Sequence, residues 1–388
     1  MADKLLKNLK EIFGFDAFRP GQEEAIGSLL AGKHTLVVMP TGAGKSLTYQ
    51  FAALQLDGIT LVISPLIALM QDQVANLQKR GIAAAFINST LTKEEQTRRT
   101  AEITEGKLRI VYAAPERLRS LEFIKAIRTQ KMALLAVDEA HCISEWGHDF
   151  RPDYLYLAHA REEFGCPLTA ALTATATPHV QQDIVSRLEL GISATRIVTG
   201  FNRPNLSFSV RYVSGLGLKL HQLSKMLSPD DQGATIIYTG TRHDAEEVAG
   251  FLTSCAGIPA AHYHAGLPTE DRSRIEKSFL GKKIRTIAAT NAFGMGIDRS
   301  DVRQVIHFNL PGSLEAYYQE AGRAGRDGKP AEAVLLYDPQ DRSLQEFFIQ
   351  NSKLSAADLT AIHGSVWPAG FDHCPKMQRD NSKTITSI

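Results

Sequence analysis

Glycine, lysine and serine are closely spaced in the stretch MPTGAGKSLTYQ, which follows the apolar run HTLVVM and opens a segment with helical spacing. Glycines let backbone N–H groups turn inward around an anion, and the N-terminus of a following helix adds the positive end of its dipole. Lys45 can then reach the terminal phosphates of a nucleoside triphosphate, and Ser46 can bind Mg²⁺. The full pattern has a further glycine five positions before Gly44, where this chain has Met39. A chance glycine-rich turn fits less well, because strand, loop and helix agree. The predicted nucleotide-binding phosphate loop comprises Thr41, Gly42, Ala43, Gly44, Lys45 and Ser46.

Two carboxylates, Asp138 and Glu139, follow the apolar run LLAV. A continuous apolar run predicts a buried parallel strand, and ligands of open α/β sheets bind beyond the carboxyl ends of such strands. Asp138 can hold Mg²⁺ directly or through water, and Glu139 can orient and deprotonate the water that attacks the γ-phosphate. An isolated acidic pair would more simply be a solvated strand end. Because a phosphate loop is also present, we interpret this pair as metal-binding and catalytic.

The stretch YYQEAGRAGRDG carries Gln319, Arg323 and Arg326, separated by four and three residues. This spacing predicts that the three side chains lie on one face of a helix. Guanidinium groups stabilise the charge that develops on a transferring phosphoryl group, so the three residues are predicted to be catalytic. The alternative is a solvated basic helix. Gly322 and Gly325 argue against it, because each would weaken an idle surface helix by about 1 kcal/mol.

Short apolar runs alternate with longer segments of helical spacing along the chain. This alternation predicts an α/β fold in which mostly parallel sheets carry helices on both faces. The rhythm pauses near residues 200–206, where glycine and proline interrupt it, and then resumes. The expected strands are HTLVVM, ITLVIS, RIVYAA, LLAVDE and LTAALT, then ATIIYTG, AAHYHAG, RTIAAT, VRQVIHFN and AEAVLLYD. We expect two similar lobes, residues 1–203 and 204–342, and a short, partly disordered C-terminal extension, residues 343–388.

The composition is that of a globular protein of about two domains: 388 residues, of which 44% are hydrophobic and 22% charged. Basic and acidic residues nearly cancel, with 43 Lys+Arg against 42 Asp+Glu, so any polyanion must bind in a local groove. The four cysteines have no CxxC spacing, which argues against a disulfide framework. The N-terminus has no apolar targeting region, and no run approaches the roughly 20 apolar residues of a membrane span. We therefore expect a soluble cytoplasmic protein without membrane contact.

These motifs occur in an order typical of one family. The chain resembles a RecQ-type superfamily 2 helicase over nearly all of residues 10–340. FGFDAFRPGQEEAI resembles the family's adenine-recognition motif, whereas DEAH is shared widely among helicases. SPLIALMQDQ, LTATATP, ATNAFGMGIDRSDV and QEAGRAGRDG resemble motifs Ia, III, V and VI. The run CISEWGHDFRPDY is more specific, because it resembles the aromatic-rich loop that distinguishes RecQ proteins.

The resemblance implies two RecA-like lobes with ATP and Mg²⁺ in the cleft between them and DNA across their top. It implies ATP-dependent unwinding of single-stranded and partly duplex DNA with 3′-to-5′ polarity, in repair and recombination, in the bacterial cytosol or at the nucleoid. On the resemblance alone, Arg326 ranks above Arg323 as the catalytic arginine finger. An RNA helicase is disfavoured by the aromatic-rich loop. The remaining alternative is an ATP-gated DNA translocase or remodelling module that binds DNA without efficient strand separation. Protein partners stay open.

The aromatic-rich loop of RecQ proteins touches single-stranded DNA and reports its presence to the ATP site. Base–aromatic stacking contributes about 1–3 kcal/mol per base and tolerates any sequence. The candidates for stacking or sensing are Trp146 and Phe150, and Arg151 can meet a phosphate. The alternative is that these aromatic residues are buried, which applies most to Tyr154. The predicted DNA-binding and coupling residues are His141, Trp146, His148, Phe150 and Arg151.

The stretch FGFDAFRPGQEEAI is the predicted adenine pocket. Gln22 can pair with the N6 and N7 atoms of adenine, as glutamine does with adenine edges elsewhere. Phe15 can stack on the base, with a core position as its alternative, and Arg19 is expected to assist. Pro20 suits the first turn of the helix that carries Gln22.

No zinc site is expected. In many RecQ proteins a four-cysteine zinc module and a winged helix follow the lobes, but here only Cys374 lies beyond residue 338. Cys374 with His363 and His373 falls short of a four-ligand site with paired cysteines. His262 and His264, in AHYHAGL, are expected to be structural or to contact a DNA strand. Without the wing we expect a DNA-stimulated ATPase whose unwinding is weak and confined to short duplexes with a 3′ overhang.

Overall fold

The computed structural model describes residues 2–145, 150–200, 202–228, 233–294 and 299–352. Within these ranges the strands form two separate sheets, one of seven strands and one of six. All recorded strand pairs are parallel. The predicted α/β class with parallel sheets is confirmed.

The first sheet is buried on both faces. Its strands are β1 (Thr35–Val38), β2 (Ile59–Ile63), β3 (Ala84–Ile87), β4 (Ile110–Ala113), β5 (Met132–Val137), β6 (Thr169–Thr173) and β7 (Thr195–Val198). They lie in the order β3-β4-β2-β5-β6-β1-β7. Leu135 and Val137 of β5 enter one hydrophobic cluster, whereas Leu134 and Ala136 enter another. Since alternate residues of a strand point to opposite faces, the two clusters lie on the two sides of the sheet.

Helices cover both faces of this sheet. They are α1 (Ala2–Asn8), α2 (Gln22–Leu30), α3 (Lys45–Gln55), α4 (Ile67–Lys79), α5 (Lys93–Thr104), α6 (Leu121–Arg128), α7 (Tyr156–Glu163) and α8 (Pro178–Arg187). Short π or 3₁₀ turns span Leu9–Phe13, Pro115–Arg119, Ala140–Ile143 and Pro152–Leu155. Thr92, Ser120 and Thr177 cap α5, α6 and α8, each accepting a hydrogen bond from the backbone N–H three residues later. Each cap satisfies a donor that the helix itself leaves unpaired.

The second sheet repeats this build. Its strands are β8 (Leu206–Tyr212), β9 (Ala234–Tyr238), β10 (Ala260–Tyr263), β11 (Thr286–Ala289), β12 (Val302–His307) and β13 (Ala331–Tyr337), in the order β10-β11-β9-β12-β13-β8. The helices are α9 (Leu216–Met226), α10 (Arg242–Ser254), α11 (Thr269–Leu280) and α12 (Leu314–Ala321). Ile236 and Ile237 of β9 again enter different clusters, so this sheet is also covered on both sides.

Three strands were not predicted. β3 has the sequence AAFI, and alanine has a low strand propensity, so its burial did not show as a β-rich run. β7 and β8 lie at sheet edges, where β7 exposes two of its four residues and β8 exposes four of seven. Apolar continuity marks strands buried on both faces, and β7 and β8 lack it.

Contacts divide the chain into two units, Met1–Pro339 and Gln340–Ile388. Of the second unit the structure describes helix α13 (Asp341–Ser352). Cys374, His363 and His373 lie outside the described residues. The predicted lobe boundaries and the extension remain predictions. In the described part of the chain, no helix has both the length and the apolar character to cross a membrane.

Gly58 fixes the entry into β2. Its backbone has φ +125°, and a Cβ atom there would lie 2.2 Å from the carbonyl oxygen of Lys131. That oxygen accepts a hydrogen bond of 2.8 Å from the N–H of Ile59, which begins the pairing of β2 with β5. A side chain at Gly58 would therefore disrupt the pairing of two central strands.

Gly58→Ala should lower the free energy of unfolding by about 2 kcal/mol or more, because the new methyl group collides with backbone and φ is unsuited to alanine. Gly27→Ala is the matched control: Gly27 is exposed within α2, with nothing within 4 Å of an added Cβ. It should raise stability by about 0.5–1 kcal/mol. Denaturant unfolding measures both, and equal effects would contradict the assigned strand entry.

Candidate active site

The loops that follow β1, β5 and β6 meet at one edge of the first sheet, because these strands are neighbours and parallel. The phosphate loop follows β1 and leads into α3, which begins at Lys45. Gly42 and Gly44 have φ of +84° and +81°, which is left-handed backbone that favours glycine. A Cβ on Gly44 would lie 2.6 Å from Nε2 of Gln22, so this position also lacks space.

Asp138 and Glu139 stand directly after β5. The backbone N–H of Asp138 donates to the carbonyl of Ile63 at 2.8 Å, and Tyr154 Oη donates to the carbonyl of Asp138 at 2.9 Å. Glu139 has φ +48°, an unusual conformation for a residue with a side chain, and its N–H donates to Asp138 Oδ1 at 3.0 Å. The acid pair is therefore held by backbone bonds on both sides, with backbone strain at the second carboxylate.

Lys45, Asp138 and Glu139 bring opposite charges together at a buried position. Burial raises the pKa of Asp138 to about 7, and the negative charge of Glu139 adds to the rise. Burial also lowers the pKa of Lys45, although both carboxylates counteract that effect. Glu139 Oε2 is buried and accepts no hydrogen bond within the described residues. A divalent cation beside the acids and a polyphosphate beside Lys45 would remove these penalties, so the donor set fits Mg²⁺ and a nucleotide.

Gln319, Arg323 and Arg326 face this edge from the second sheet, but the predicted single helix is wrong. Helix α12 ends at Ala321, and the chain continues through turns at residues 322–327, here called the arginine loop. Gly325 has φ +62°, which no continuous α-helix allows. The glycines therefore end the helix instead of weakening it. Arg323 is buried and donates from Nη1 to the carbonyl of Gly294.

One cavity of about 570 Å³ collects these groups. This size lies within the range of small-molecule sites, roughly 300–1,000 Å³. The predicted residues that line it are Phe15, Arg19, Gln22, Thr41, Gly42, Gly44, Lys45, Ser46, Asp138, Glu139, His141, Gln319, Arg323 and Arg326. The phosphate loop, the acid pair and the arginine loop thus share one cavity, although they come from both sheets. Ala43 does not line the cavity, and its carbonyl accepts a hydrogen bond from Gln22 Nε2.

The adenine-motif residues take positions that differ in part from the prediction. Phe15 is 47% exposed and lines the cavity, so the core alternative is wrong. Gln22 is buried, and its amide Nε2 donates to the carbonyls of Ala43 (3.1 Å) and Gly44 (2.9 Å). Its Oε1 accepts the Arg19 N–H at 2.8 Å. In this structure Gln22 therefore braces the phosphate loop with the atoms predicted to pair with adenine.

The helix that carries Gln22 begins later than predicted. Its N-cap is Gly21, with φ +79°, so Pro20 lies before the cap and outside the first turn. A Cβ at Gly21 would lie 2.3 Å from Thr199 Cγ2, which explains a glycine at this close approach.

The aromatic-rich segment is described only in part. Trp146 and His148 lie outside the described residues. Phe150 is half-buried, and the N–H of Arg151 donates to the carbonyl of Cys142 at 2.9 Å. Tyr154 is fully buried, so the core alternative holds for it.

His141 is 1% exposed, which excludes direct DNA contact by its side chain in this structure and leaves the coupling part of its predicted role. Its Nδ1 lies 2.9 Å from Thr173 Oγ1 and 3.5 Å from Glu139 Oε2. Thr173 Oγ1 in turn donates to the carbonyl of Thr175 at 3.0 Å. His141 therefore joins the acid pair to the stretch LTATATP. Sequence reasoning had marked that stretch without assigning a residue in it.

His262 of β10 and His264, which follows it, form a small cluster with Glu246 of α10. The two imidazole rings stack at 5.7 Å, and His264 Nε2 lies 2.9 Å from Glu246 Oε1. This hydrogen bond joins the end of β10 to α10 and supports the expected structural role.

Two glutamines at the cavity were missed by sequence reasoning. Gln50 Nε2 donates to Gln73 Oε1 at 2.7 Å and to Tyr112 Oη at 2.8 Å, and both glutamines line the cavity. Each stands within an amphipathic helix, and no local pattern distinguishes a glutamine that faces inward.

Comparison with known proteins agrees with this geometry. The DEAD/DEAH box helicase family matches residues 19–184, and the helicase conserved C-terminal domain matches residues 218–328. The probable ATP-dependent DNA helicase RecS of Bacillus subtilis is 43% identical over 360 residues, which are 92% of this chain and 72% of the relative. The ATP-dependent DNA helicase RecQ of Haemophilus influenzae is 45% identical over 348 residues.

The chain belongs to the RecQ family of superfamily 2 helicases. It covers 55% of the length of the H. influenzae RecQ, with 89% of its own length matched. Solved structures agree at the level of fold. S. cerevisiae Dbp5 bound to RNA and ADP BeF3 matches with a TM-score of 0.71 and 19% identity over 90% of this chain and 92% of that one. Mycobacterium smegmatis Lhr bound to ssDNA and AMP-PNP matches with a TM-score of 0.67 and 22% identity, over 87% and 48%. The chain thus has two RecA-like lobes.

Asp138→Asn should raise the melting temperature of this protein in EDTA without nucleotide. The folded-state pKa of about 7 lies above the ordinary 3.8, so the cost of ionising Asp138 grows as pH rises from about 4 to 7 and is complete above 7. The variant should gain about 2 °C or more at pH 8 and less at pH 5. Calorimetry at both pH values measures this difference.

Asp57→Asn is the control for that experiment, because Asp57 is exposed and its pKa is lowered by Lys131. It should not stabilise the protein at either pH. A gain for Asp138→Asn that is the same at pH 5 and pH 8 would show that burial of the ionised carboxyl is not its cause.

Proposed function

We propose that this RecQ-family chain is an ATP-dependent DNA helicase that couples hydrolysis to 3′-to-5′ movement on single-stranded DNA and to duplex unwinding. The observation that carries the proposal is the single cavity lined by the phosphate loop, the acid pair and the arginine loop. Because these groups come from both lobes, hydrolysis can be linked to lobe movement. Polarity, repair and recombination rest on the resemblance and on the names of the relatives.

The first lobe supplies the groups for nucleotide binding and hydrolysis. Lys45 contacts the β- and γ-phosphates, and Ser46 and Asp138 hold Mg²⁺. Bound Mg²⁺ neutralises charge on the phosphate oxygens. Glu139 lies next to Asp138, with a buried oxygen that is available to accept a proton from the attacking water. Phe15 stacks on the base from its exposed position at the cavity wall.

The second lobe supplies the positive charge for the transition state. Arg326 packs beside the phosphate loop: a Cβ built on Gly42 would lie 3.4 Å from Arg326 Cγ. We assign Arg326 as the arginine finger and Arg323, with its buried guanidinium, as its support. Gln319 lines the same cavity from the end of α12. Charge from these residues matters most when the γ-phosphoryl group transfers.

DNA binding is signalled to the nucleotide cavity through the aromatic-rich loop. We propose that Phe150, together with Trp146, senses bases and that Arg151 and His148 contact the strand. His141 lies between this segment and the acid pair, bonded to Thr173. Movement of the segment on DNA binding would shift His141 and with it the carboxylate of Glu139, since the two side chains are 3.5 Å apart.

Glu139→Gln should keep ATP–Mg²⁺ binding and lose hydrolysis by about 10²-fold or more, because the general base is removed. Lys45→Ala should lose both. Wild-type protein should hydrolyse ATP faster with single-stranded DNA and should unwind a short duplex with a 3′ overhang but not a 5′ overhang. Glu105→Gln, a change of an exposed carboxylate paired with Lys107, is the control.

These assays separate the candidate functions. DNA-stimulated hydrolysis without unwinding of either overhang would favour the translocase or remodelling module. Stimulation by RNA but not by DNA would favour an RNA helicase. Near-normal hydrolysis in Glu139→Gln or Lys45→Ala would overturn the proposed site itself.

Phe150→Ala should leave basal hydrolysis unchanged and reduce its stimulation by single-stranded DNA several-fold, because one stacking contact contributes about 1–3 kcal/mol. Tyr212→Ala is the control, since Tyr212 is an aromatic residue 82% exposed on β8. Steady-state hydrolysis with and without DNA measures the ratio. Equal fractional loss in both conditions would indicate a damaged core.

A further inference from the structure

Arg203 connects the two lobes at the cavity, and no motif in the sequence marked it. It stands three residues before β8, in the segment between the sheets. Its Nη1 donates to the carbonyls of Thr41 (3.2 Å) and Gly322 (2.9 Å). Its Nη2 donates to the carbonyls of Ala324 (2.8 Å) and Gly325 (2.7 Å). One guanidinium thus binds the phosphate loop and three residues of the arginine loop.

These acceptors explain why an arginine is needed. The carbonyls of Gly322, Ala324 and Gly325 lie in the turns after α12, where no regular helical hydrogen bonding continues, and buried carbonyls need donors. Four carbonyls that converge on one point require a planar, forked donor, which only a guanidinium provides. Half-burial lowers the pKa of Arg203, and the nearby Arg326 and Arg19 add to that effect. Placing the charged Arg203 near Arg326 and Arg19 costs free energy. The four hydrogen bonds of its guanidinium to backbone carbonyls offset that cost.

The arginine loop is also anchored from a second residue of the same segment. Asn205 Nδ2 donates to the carbonyls of Gly325 and Lys329, both at 2.8 Å. Both acceptors belong to the second lobe. Arg203 differs because its bond to Thr41 crosses to the phosphate loop. The two loops are already close at this point, since a Cβ on Gly322 would lie 3.4 Å from Thr41 Cβ.

We propose that Arg203 is a positioning residue for ATP hydrolysis, which sets the arginine loop in register with the phosphate loop and so places Arg326 at the γ-phosphate. This inference rests on the proposed function. Arg203 acts through backbone carbonyls and does not touch the nucleotide. The bond to Thr41 means that a change in the phosphate loop on nucleotide binding moves the arginine loop with it.

Arg203→Ala should reduce kcat about 10–100-fold, because misplacing a catalytic group by about 1 Å costs up to about 10²-fold. The KM for ATP should change less than about threefold, since ground-state contacts to the nucleotide are retained. Arg203→Lys should recover only part of the loss, because an ammonium cannot bind four carbonyls in one plane. Asn205→Ala, which loosens the same loop without touching Thr41, should cost less than Arg203→Ala.

The decisive measurement repeats Arg203→Ala in an Arg326→Ala background. If Arg203 works by placing Arg326, the second substitution should cost less than about twofold there. The same factor in both backgrounds, or a change confined to KM, would overturn the proposal. The melting temperature of each variant is measured alongside, and if Arg203→Ala does not fold, Arg203→Lys carries the same comparison. Absence of hydrolysis in the unchanged protein would overturn the proposed function instead, since every expected effect here is relative to it.

Discussion

Burial of opposite charges at the carboxyl ends of β1 and β5 is the constraint from which the rest of the site follows. Lys45 and Asp138 are both buried away from water. Burial lowers the pKa of Lys45 and raises that of Asp138, which favours the neutral form of each side chain. Burying charges is costly unless each finds a partner. A cation beside the acids and an anion beside the lysine would each supply a partner charge. A nucleotide with Mg²⁺, the ligand of the proposed function, would bring both charges together.

The first lobe lacks the arginines that the proposed reaction needs. In the proposed function its edge would provide the phosphate loop, a metal ligand and a base, whereas the arginines that line the same cavity come from the second lobe. Those arginines stand on turns instead of a helix, and turns have little stiffness of their own. Arg203 and Asn205 donate hydrogen bonds to the backbone carbonyls of these turns, and these bonds take the place of the missing helical hydrogen bonds. Precision at the cavity thus depends on residues that do not line it.

Local patterns predicted the backbone setting of the phosphate loop and of the acid pair correctly. The phosphate loop and the acid pair each need a particular strand, turn and residue type within a few positions, so the sequence alone places them. The helix expected to carry Gln319, Arg323 and Arg326 was wrong because i, i+4 and i, i+7 spacing cannot tell a helix from turns that reach the same cavity. The burial of His141 and the bonds of Gln22 and Arg203 could not be predicted, since each depends on contacts between segments distant in the chain. Strands β7 and β8 were not predicted for a related reason: their burial depends on the strands and helices that pack against them, which the local sequence does not show.

A nucleotide that binds in this cavity would replace hydrogen bonds that Lys45 and Gln22 already make within the protein. Lys45 Nζ donates to the carbonyl of Met39 at 3.0 Å, and Gln22 holds two carbonyls of the phosphate loop. A hydrogen bond contributes only about 0.5–1.5 kcal/mol net when its groups can find other partners. Replacing these bonds with bonds to phosphate and base therefore costs little, while charge pairing supplies the gain. If the phosphate loop exchanges these bonds for bonds to a nucleotide, it would change arrangement without unfolding, and the bond of Arg203 to Thr41 would pass that change to the arginine loop.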